Sequence, residues 1–154
     1  MDTQIEGVAF KPLITHPDAR GYFRELIRET DAFYNRFGQL SHSVVYTGVI
    51  KAWHHHEEQT DYWYVVSGVL RVGLHDLRPD SPTRGVTMDF PMGDHRDPFC
   101  LKIPPGVLHG CKALQGPVHL LYLTSHTYNP SDELRRPFDD PEIGFDWFQD
   151  YRIV

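Results

Sequence analysis

Four side chains carry the strongest chemical signal in this sequence: His54, His56, Asp61 and His109. Imidazole nitrogens with a carboxylate oxygen suit a divalent transition metal. Three of the four lie in one segment, which reads Gly48, five residues, His54, one residue, His56, four residues, Asp61, six residues, Gly68. On a strand, residues two apart share a face. His54 and His56 are therefore expected to project together, with His55 pointing away. Glu57 to Thr60 is polar enough for a turn, after which Asp61 begins a returning strand and faces the same pocket. The fourth ligand follows Pro104-Pro105-Gly106-Val107-Leu108, where Pro and Gly pre-form a bend and His109 opens the next strand. A run of three histidines alone fits a solvated loop equally well; its register with Asp61 and His109 is what points to a site. The expected cofactor is one ion of zinc, nickel, iron or manganese, which donor type does not separate. His16, His42, His75, His95 and His119 have no partner at ligand spacing and read as structural or surface residues.

Strands must hold these groups. Short runs rich in Val, Ile, Leu, Tyr and Phe recur at Ser43 to Ile50, Tyr62 to Val66, Val69 to Leu74, Thr87 to Phe90, Phe99 to Ile103 and Val118 to Thr124. Ser67-Gly68, between two of them, reads as a tight hairpin. One short helix is expected over Ala32 to Phe37, capped by Thr30 or Asp31 and ended by Gly38. A second is expected over Ser131 to Arg135. Twelve prolines and twelve glycines punctuate the chain. Evenly spaced short strands imply an all-β sandwich or barrel in a single domain over residues 1–154. The aromatic tail, with Phe138, Phe145, Trp147 and Phe148, is expected to pack on the barrel or on a partner subunit.

The net charge of −6 and the absence of a basic run argue against nucleic acid and anionic membranes as partners. No apolar stretch approaches the ~20 residues of a membrane helix, and the polar start lacks a signal-peptide core. A cytoplasmic location is the expectation. Cys100 and Cys111 read as a reduced pair of small core residues.

Both histidine segments resemble the two motifs of the cupin superfamily, the double-stranded β-helix (jelly-roll) barrels. Asp61 stands where Glu is usual there, and Pro104, Gly106 and His109 match the second motif, whose later Asn is Ala113 here. A closer resemblance is to the dTDP-4-dehydrorhamnose 3,5-epimerase family. It rests on Asp18-Ala19-Arg20-Gly21-Tyr22-Phe23-Arg24-Glu25, on Gly48 through His54, and on Asp76-Leu77-Arg78 with Ser81-Pro82-Thr83 and Gly85. It continues through Ile103 to Gly106, His109-Gly110, Tyr122-Leu123-Thr124, Tyr128-Asn129-Pro130, Glu133 and Asp140-Pro141. These blocks keep family order over about residues 5–148.

The resemblance implies epimerisation of a 4-keto-6-deoxy sugar carried on a nucleotide diphosphate, through an enolate, by a homodimer. It makes His54 the base and puts His109 in the sugar pocket. Arg20 and Glu25 would hold the nucleotide across the dimer interface; the plainer reading pairs Arg20 with Asp18 or Glu25 at the surface. Lys51 stands where a diphosphate-contacting Arg is common, keeping the charge without the bidentate fork. Three departures matter. Asp61 replaces a Lys that stabilises the enolate oxygen. The acid Tyr falls at Thr127, beside Tyr128. The C-terminal Asp that orients the catalytic His has no counterpart among residues 1–154. A divalent ion on Asp61 would restore the lost cation, but a ligating His54 could not also be a free base. Tyr64, His126, Tyr128 or a metal-bound hydroxide would then move the proton. A metal-free epimerase with His54 as base and Tyr128 as acid, and a non-catalytic sugar-binding cupin, are the competing expectations.

Overall fold

The computed structural model describes residues 2–93 and 97–149; His95 lies outside them. The strands are β1 (Ala9–Pro12), β2 (His16–Asp18), β3 (Gly21–Phe23), β4 (Gln39–Val45), β5 (Ile50–His55), β6 (Asp61–Asp76), β7 (Thr87–Gly93), β8 (Phe99–Ile103), β9 (Val107–Thr124) and β10 (Leu134–Arg135). The architecture is built on β6 and β9, which pair antiparallel from Asp61↔Thr124 to Asp76↔Val107 with register shifts between Val65 and Leu70. Those shifts divide the pair. Beyond Asp61–Val65, β8 adds to β6 and β4 adds to β9, with β1 outside β8. Beyond Val69–Asp76, β7 adds to β6 and β5 adds to β9, with β10 outside β5. Val45, Trp63, Val65 and Leu120 of the first half pack in one cluster with Leu70, Val72, Leu74, Met88 and Phe90 of the second. The two halves therefore close face to face as an all-β jelly roll.

Alternation explains the layers. In β7, Met88, Phe90 and Met92 are buried while Asp89 and Pro91 are exposed. The second half of β6 is buried on both faces from Val69 to Asp76, because the C-terminal tail covers its outer side. Trp147 lies against Trp53 and Phe145 at ring distances of 5.1 and 4.4 Å. A Cβ on Gly73 would fall 3.0 Å from the Trp147 ring, and one on Gly110 would fall 2.9 Å from it. Glycine at both positions makes the tail's seat. Arg71, nearly fully buried, pairs with Asp89 at 2.7 Å and donates to the Asp146 carbonyl, with its guanidinium 4.7 Å from the Phe145 ring centroid. Cys100 and Cys111 are free and buried.

Three expectations are corrected. Ser43 to Ile50 is not one strand: β4 ends at Val45, and a turn closed by Val49 N–H to Tyr46 O, with Gly48 at φ +79°, precedes β5. Ser67-Gly68 is not a hairpin. Gly68, at φ +87°, lies inside continuous β6 where the register shifts, and a Cβ there would meet the Gln115 carbonyl at 2.6 Å. Neither helix forms, and no helix occurs among the described residues. Phe33 and Tyr34 are drawn onto the Tyr62 ring at 5.3 and 5.9 Å, and Asn35 N–H donates to the Tyr62 hydroxyl. Those contacts outweigh local propensity. Leu134 and Arg135 instead pair with His55 and His54 as β10.

Candidate active site

A cavity of about 270 Å³ opens between the two halves, with His54, His56, Asp61, Trp63, His109 and Tyr122 on its walls and Lys51, Tyr128 and Glu133 also lining it. His54 and His56 alternate inward from the end of β5, and His55 and Trp53 turn outward. The register shift between Lys51 and His54 lets those two residues, three apart, line one cavity. β5 and β6 do not form the expected hairpin. Both flank β9, and His109 stands opposite His54 on one side and Leu74 on the other.

Three imidazoles form a stack. His109 lies 6.3 Å from His54 and 5.6 Å from His56, centroid to centroid, with the Trp63 ring edge-on to it at 5.5 Å. His109 is buried, and that burial pushes its pKa down to about 4, so the ring is neutral at pH 7. Its Nδ1 lies 3.1 Å from the Val107 carbonyl, which can only accept, so Nδ1 carries the proton. The Nε2 lone pair then faces Asp61 Oδ2 at 3.8 Å. The same logic applies to His56, whose Nδ1 donates to the Asp132 carbonyl at 2.9 Å. Asp61 is buried and accepts from Gln59 Nε2 at 2.7 Å and from Trp63 Nε1 at 3.2 Å. A carboxylate has about four lone-pair positions, so acceptor capacity remains.

His56, Asp61 and His109 bring ligand atoms within 4.8 Å of one another. Both imidazoles are held at Nδ1 by backbone carbonyls, as metal-ligating histidines commonly are. The set of two nitrogens and one carboxylate oxygen fits a divalent ion after a modest closure toward the ~3.4 Å spacing of tetrahedral ligands. His54, expected as a fourth ligand, is not part of this trio. Its Nδ1 faces Glu133 Oε1 at 3.4 Å instead. Burial, then the Arg135 charge, lower the His54 pKa against the opposing pull of Glu133. Glu133 is raised by burial but held below its ordinary value by Arg135 and the imidazoles. His54 is thus a neutral imidazole beside a carboxylate.

The other expected residues divide. Lys51 lines the cavity, donating to Ser43 Oγ at 3.1 Å and to the Val44 carbonyl at 3.2 Å. Tyr128 reaches the rim, 65 % exposed. Tyr64 is on the other face of β6, where its hydroxyl accepts from Arg24 at 3.2 Å and its ring packs with Leu13 and Cys100. His126 lies outside the cavity lining, its Nδ1 2.9 Å from Ser125 Oγ. Arg20 is exposed and pairs with Asp18 at 2.7 Å, and Glu25 is exposed 3.8 Å from Arg28; neither lines the cavity of this chain. Thr127 is also absent from the lining, while Tyr122 is present. Tyr122, Glu133 and Asp132 were missed as site residues. For Tyr122 a signal existed: it lies two residues from Thr124 and from Leu120, and all three share the inward face of β9.

A jelly roll carrying an inward histidine from its fifth strand and a histidine after a Pro-Gly bend defines the cupin class. The family model for dTDP-4-dehydrorhamnose 3,5-epimerase matches residues 2–154. The chain belongs to that family, and with it to the sugar epimerases, a class of isomerase. It is similar to the spore coat polysaccharide biosynthesis protein SpsL of Bacillus subtilis, 46% identical over 96% of this chain and 99% of that protein. Among solved structures, a dTDP sugar isomerase from Desulfovibrio desulfuricans G20 superposes with TM-score 0.91 at 28% identity, over 98% of this chain and 97% of that one. A histidine-and-tyrosine double mutant of ChmJ, a 3'-monoepimerase from Streptomyces bikiniensis in complex with dTDP, gives TM-score 0.87 at 25% identity, over 95% and 77%.

Proposed function

We propose that the chain epimerises a dTDP-linked 4-keto-6-deoxy sugar at a carbon next to the ketone, with His54 as base and Tyr122 as acid. The observation that carries this is His54 itself: a neutral imidazole on the cavity wall, its Nδ1 turned to Glu133, leaving the Nε2 lone pair free. Nε2 takes the proton from the carbon, and the electron pair moves to the ketone oxygen to give an enolate. The Tyr122 phenol returns a proton to that carbon from the other face as the ketone re-forms, and solvent then reprotonates the phenolate and takes the proton from the His54 imidazolium. Pairing a His base with a Tyr acid is in keeping with the double mutant made in ChmJ. Tyr122 is preferred to the mostly exposed Tyr128 because it is the more enclosed of the two. The cavity holds the sugar, with Lys51 toward the diphosphate. Arg20 and Glu25 reach a nucleotide only from a second copy, so the reading includes a homodimer, and a cytoplasmic location where nucleotide-sugars are made. Incubating the protein with dTDP-4-keto-6-deoxyglucose in heavy water should put deuterium at C3, C5 or both, and His54→Asn should slow uptake by about a thousandfold. Undiminished exchange in that variant would remove His54 from the role.

A second element concerns the enolate oxygen. His56, Asp61 and His109 are read as the seat of one divalent transition ion. Bound there, such an ion would supply the Lewis-acid stabilisation that a Lys at position 61 would otherwise give. Separating this trio from His54 lets ligand and base be different residues. Purified protein should contain about one equivalent of metal by elemental analysis, lost in His56→Ala and in Asp61→Lys. Parent protein that stays metal-free after reloading with zinc, nickel, iron and manganese, or that turns over equally fast when stripped, would reject this element and leave the His54 reading intact.

A further inference from the structure

Residues 129–135 form a strap stitched to β5, with Asn129 and Glu133 lining the cavity. Arg136 and Trp53 exchange backbone hydrogen bonds at 3.0 and 3.1 Å, and Leu134 and Arg135 pair with His55 and His54. The Asp132 carboxylate accepts the backbone N–H groups of Glu57, Glu58 and Gln59 at 2.8, 3.3 and 3.3 Å, closing the turn after His56. The Asp132 carbonyl holds His56, and the next residue, Glu133, faces His54. Two adjacent strap residues thus address the two inward histidines at the end of β5.

We propose that Glu133 is the positioning residue of the base. Its carboxylate holds His54 in the Nδ1–H form and stabilises the imidazolium created when Nε2 takes a proton. The proposal rests on the epimerase reading above. The plain alternative is a surface ion pair with Arg135, whose guanidinium lies 3.1 Å from the same Oε1. Exposure argues against that as the whole role. The Glu133 side chain is 21% exposed and Arg135 67%, so the carboxylate is turned inward and the Arg caps it from solvent. The Tyr128 hydroxyl lies 3.5 Å from the other oxygen. A carboxylate hydrogen-bonded to a catalytic imidazole sets its tautomer and orientation, and its loss affects turnover more than binding.

Steady-state kinetics on dTDP-4-keto-6-deoxyglucose and nitrogen-15 shifts of the His54 ring test this together. Glu133→Ala should lower kcat by about a hundredfold with KM within about threefold, and Glu133→Gln, which keeps an acceptor without the charge, by about tenfold. Arg135→Ala, which uncaps the carboxylate without removing it, should leave the single Nδ1–H tautomer of His54 in place. Parent protein should show a single Nδ1–H tautomer, and Glu133→Ala a mixture, at an unchanged melting temperature. A Glu133→Ala enzyme with kcat within threefold of the parent, or with an unmoved tautomer, overturns the proposal. So does loss of the single tautomer in Arg135→Ala, which would make the ion pair, rather than the Glu133 carboxylate, what holds the ring. A parent inactive on this and related keto-sugars would reject the epimerase reading instead, while the nitrogen shifts would still decide whether Glu133 holds the ring.

Discussion

The same three strands look different from their two sides. Facing the cavity, β5, β6 and β9 present His54, Asp61 and His109, each with at least one polar atom turned to a named partner. Facing outward, they present Trp53, Gly73 and Gly110 to Trp147 and Phe145. There the indole N–H groups of Trp53 and Trp147 are buried without a hydrogen-bond partner, so the rings are seated by shape and apolar area, while Arg71 ties the tail's backbone to the sheet. Inside, hydrogen bonds decide which nitrogen carries a proton; outside, missing side chains decide where a ring can lie. Strand alternation keeps the two jobs apart at single-residue spacing.

The division can be broken from outside first. Trp147→Ala removes a nearly fully buried ring and should cost about 3–5 kcal/mol in denaturant unfolding. The Nδ1–H tautomer of His54 should persist in the variant below its transition; a tautomer lost with the tail would show that the faces are not independent. A smaller effect comes from acid. Burial alone would raise the Asp76 pKa, but hydrogen bonds from Arg78, Ser81 and Thr83 outweigh it and hold the carboxyl well below the usual range. A carboxyl depressed in the folded state stabilises it above the unfolded value of about 3.9, and that stability is lost as pH falls further. The melting temperature should drop below about pH 4, and Asp76→Asn, less stable at neutral pH, should show a shallower fall. Parallel curves for the two proteins would exclude Asp76 as the source. The smallest effect belongs to Phe148, 69% exposed beside the tail's seat: its change to Ala should stay within about 0.5 kcal/mol, and a loss like that of Trp147 would redraw the boundary of the outer core.

What the sequence disclosed follows the range over which each signal acts. His54 and His56 were legible because i, i+2 spacing fixes a shared face, and His109 because a Pro-Gly bend introduces it. Ser67-Gly68 misled because Gly at positive φ serves a bulge as well as a hairpin; only the partner strand tells them apart. Tyr64 could have been set aside by parity, since it lies three residues from Asp61 and so on the opposite face. Ala32 to Phe37 has helix-like punctuation, but the Tyr62 ring and hydroxyl that override it are distant in sequence. Glu133 stood in a stretch that carries the family resemblance, but nothing local aimed it at His54: its place depends on a two-residue strand pairing with β5, some eighty positions away.

Because β6 and β9 each belong to both halves of the jelly roll, opening either half disturbs strands that the other half uses. Asp61 and His109 are anchored in those two strands. Amide exchange around them should therefore track global unfolding, so the cavity is already shaped before a substrate arrives and little ordering is left for binding to perform.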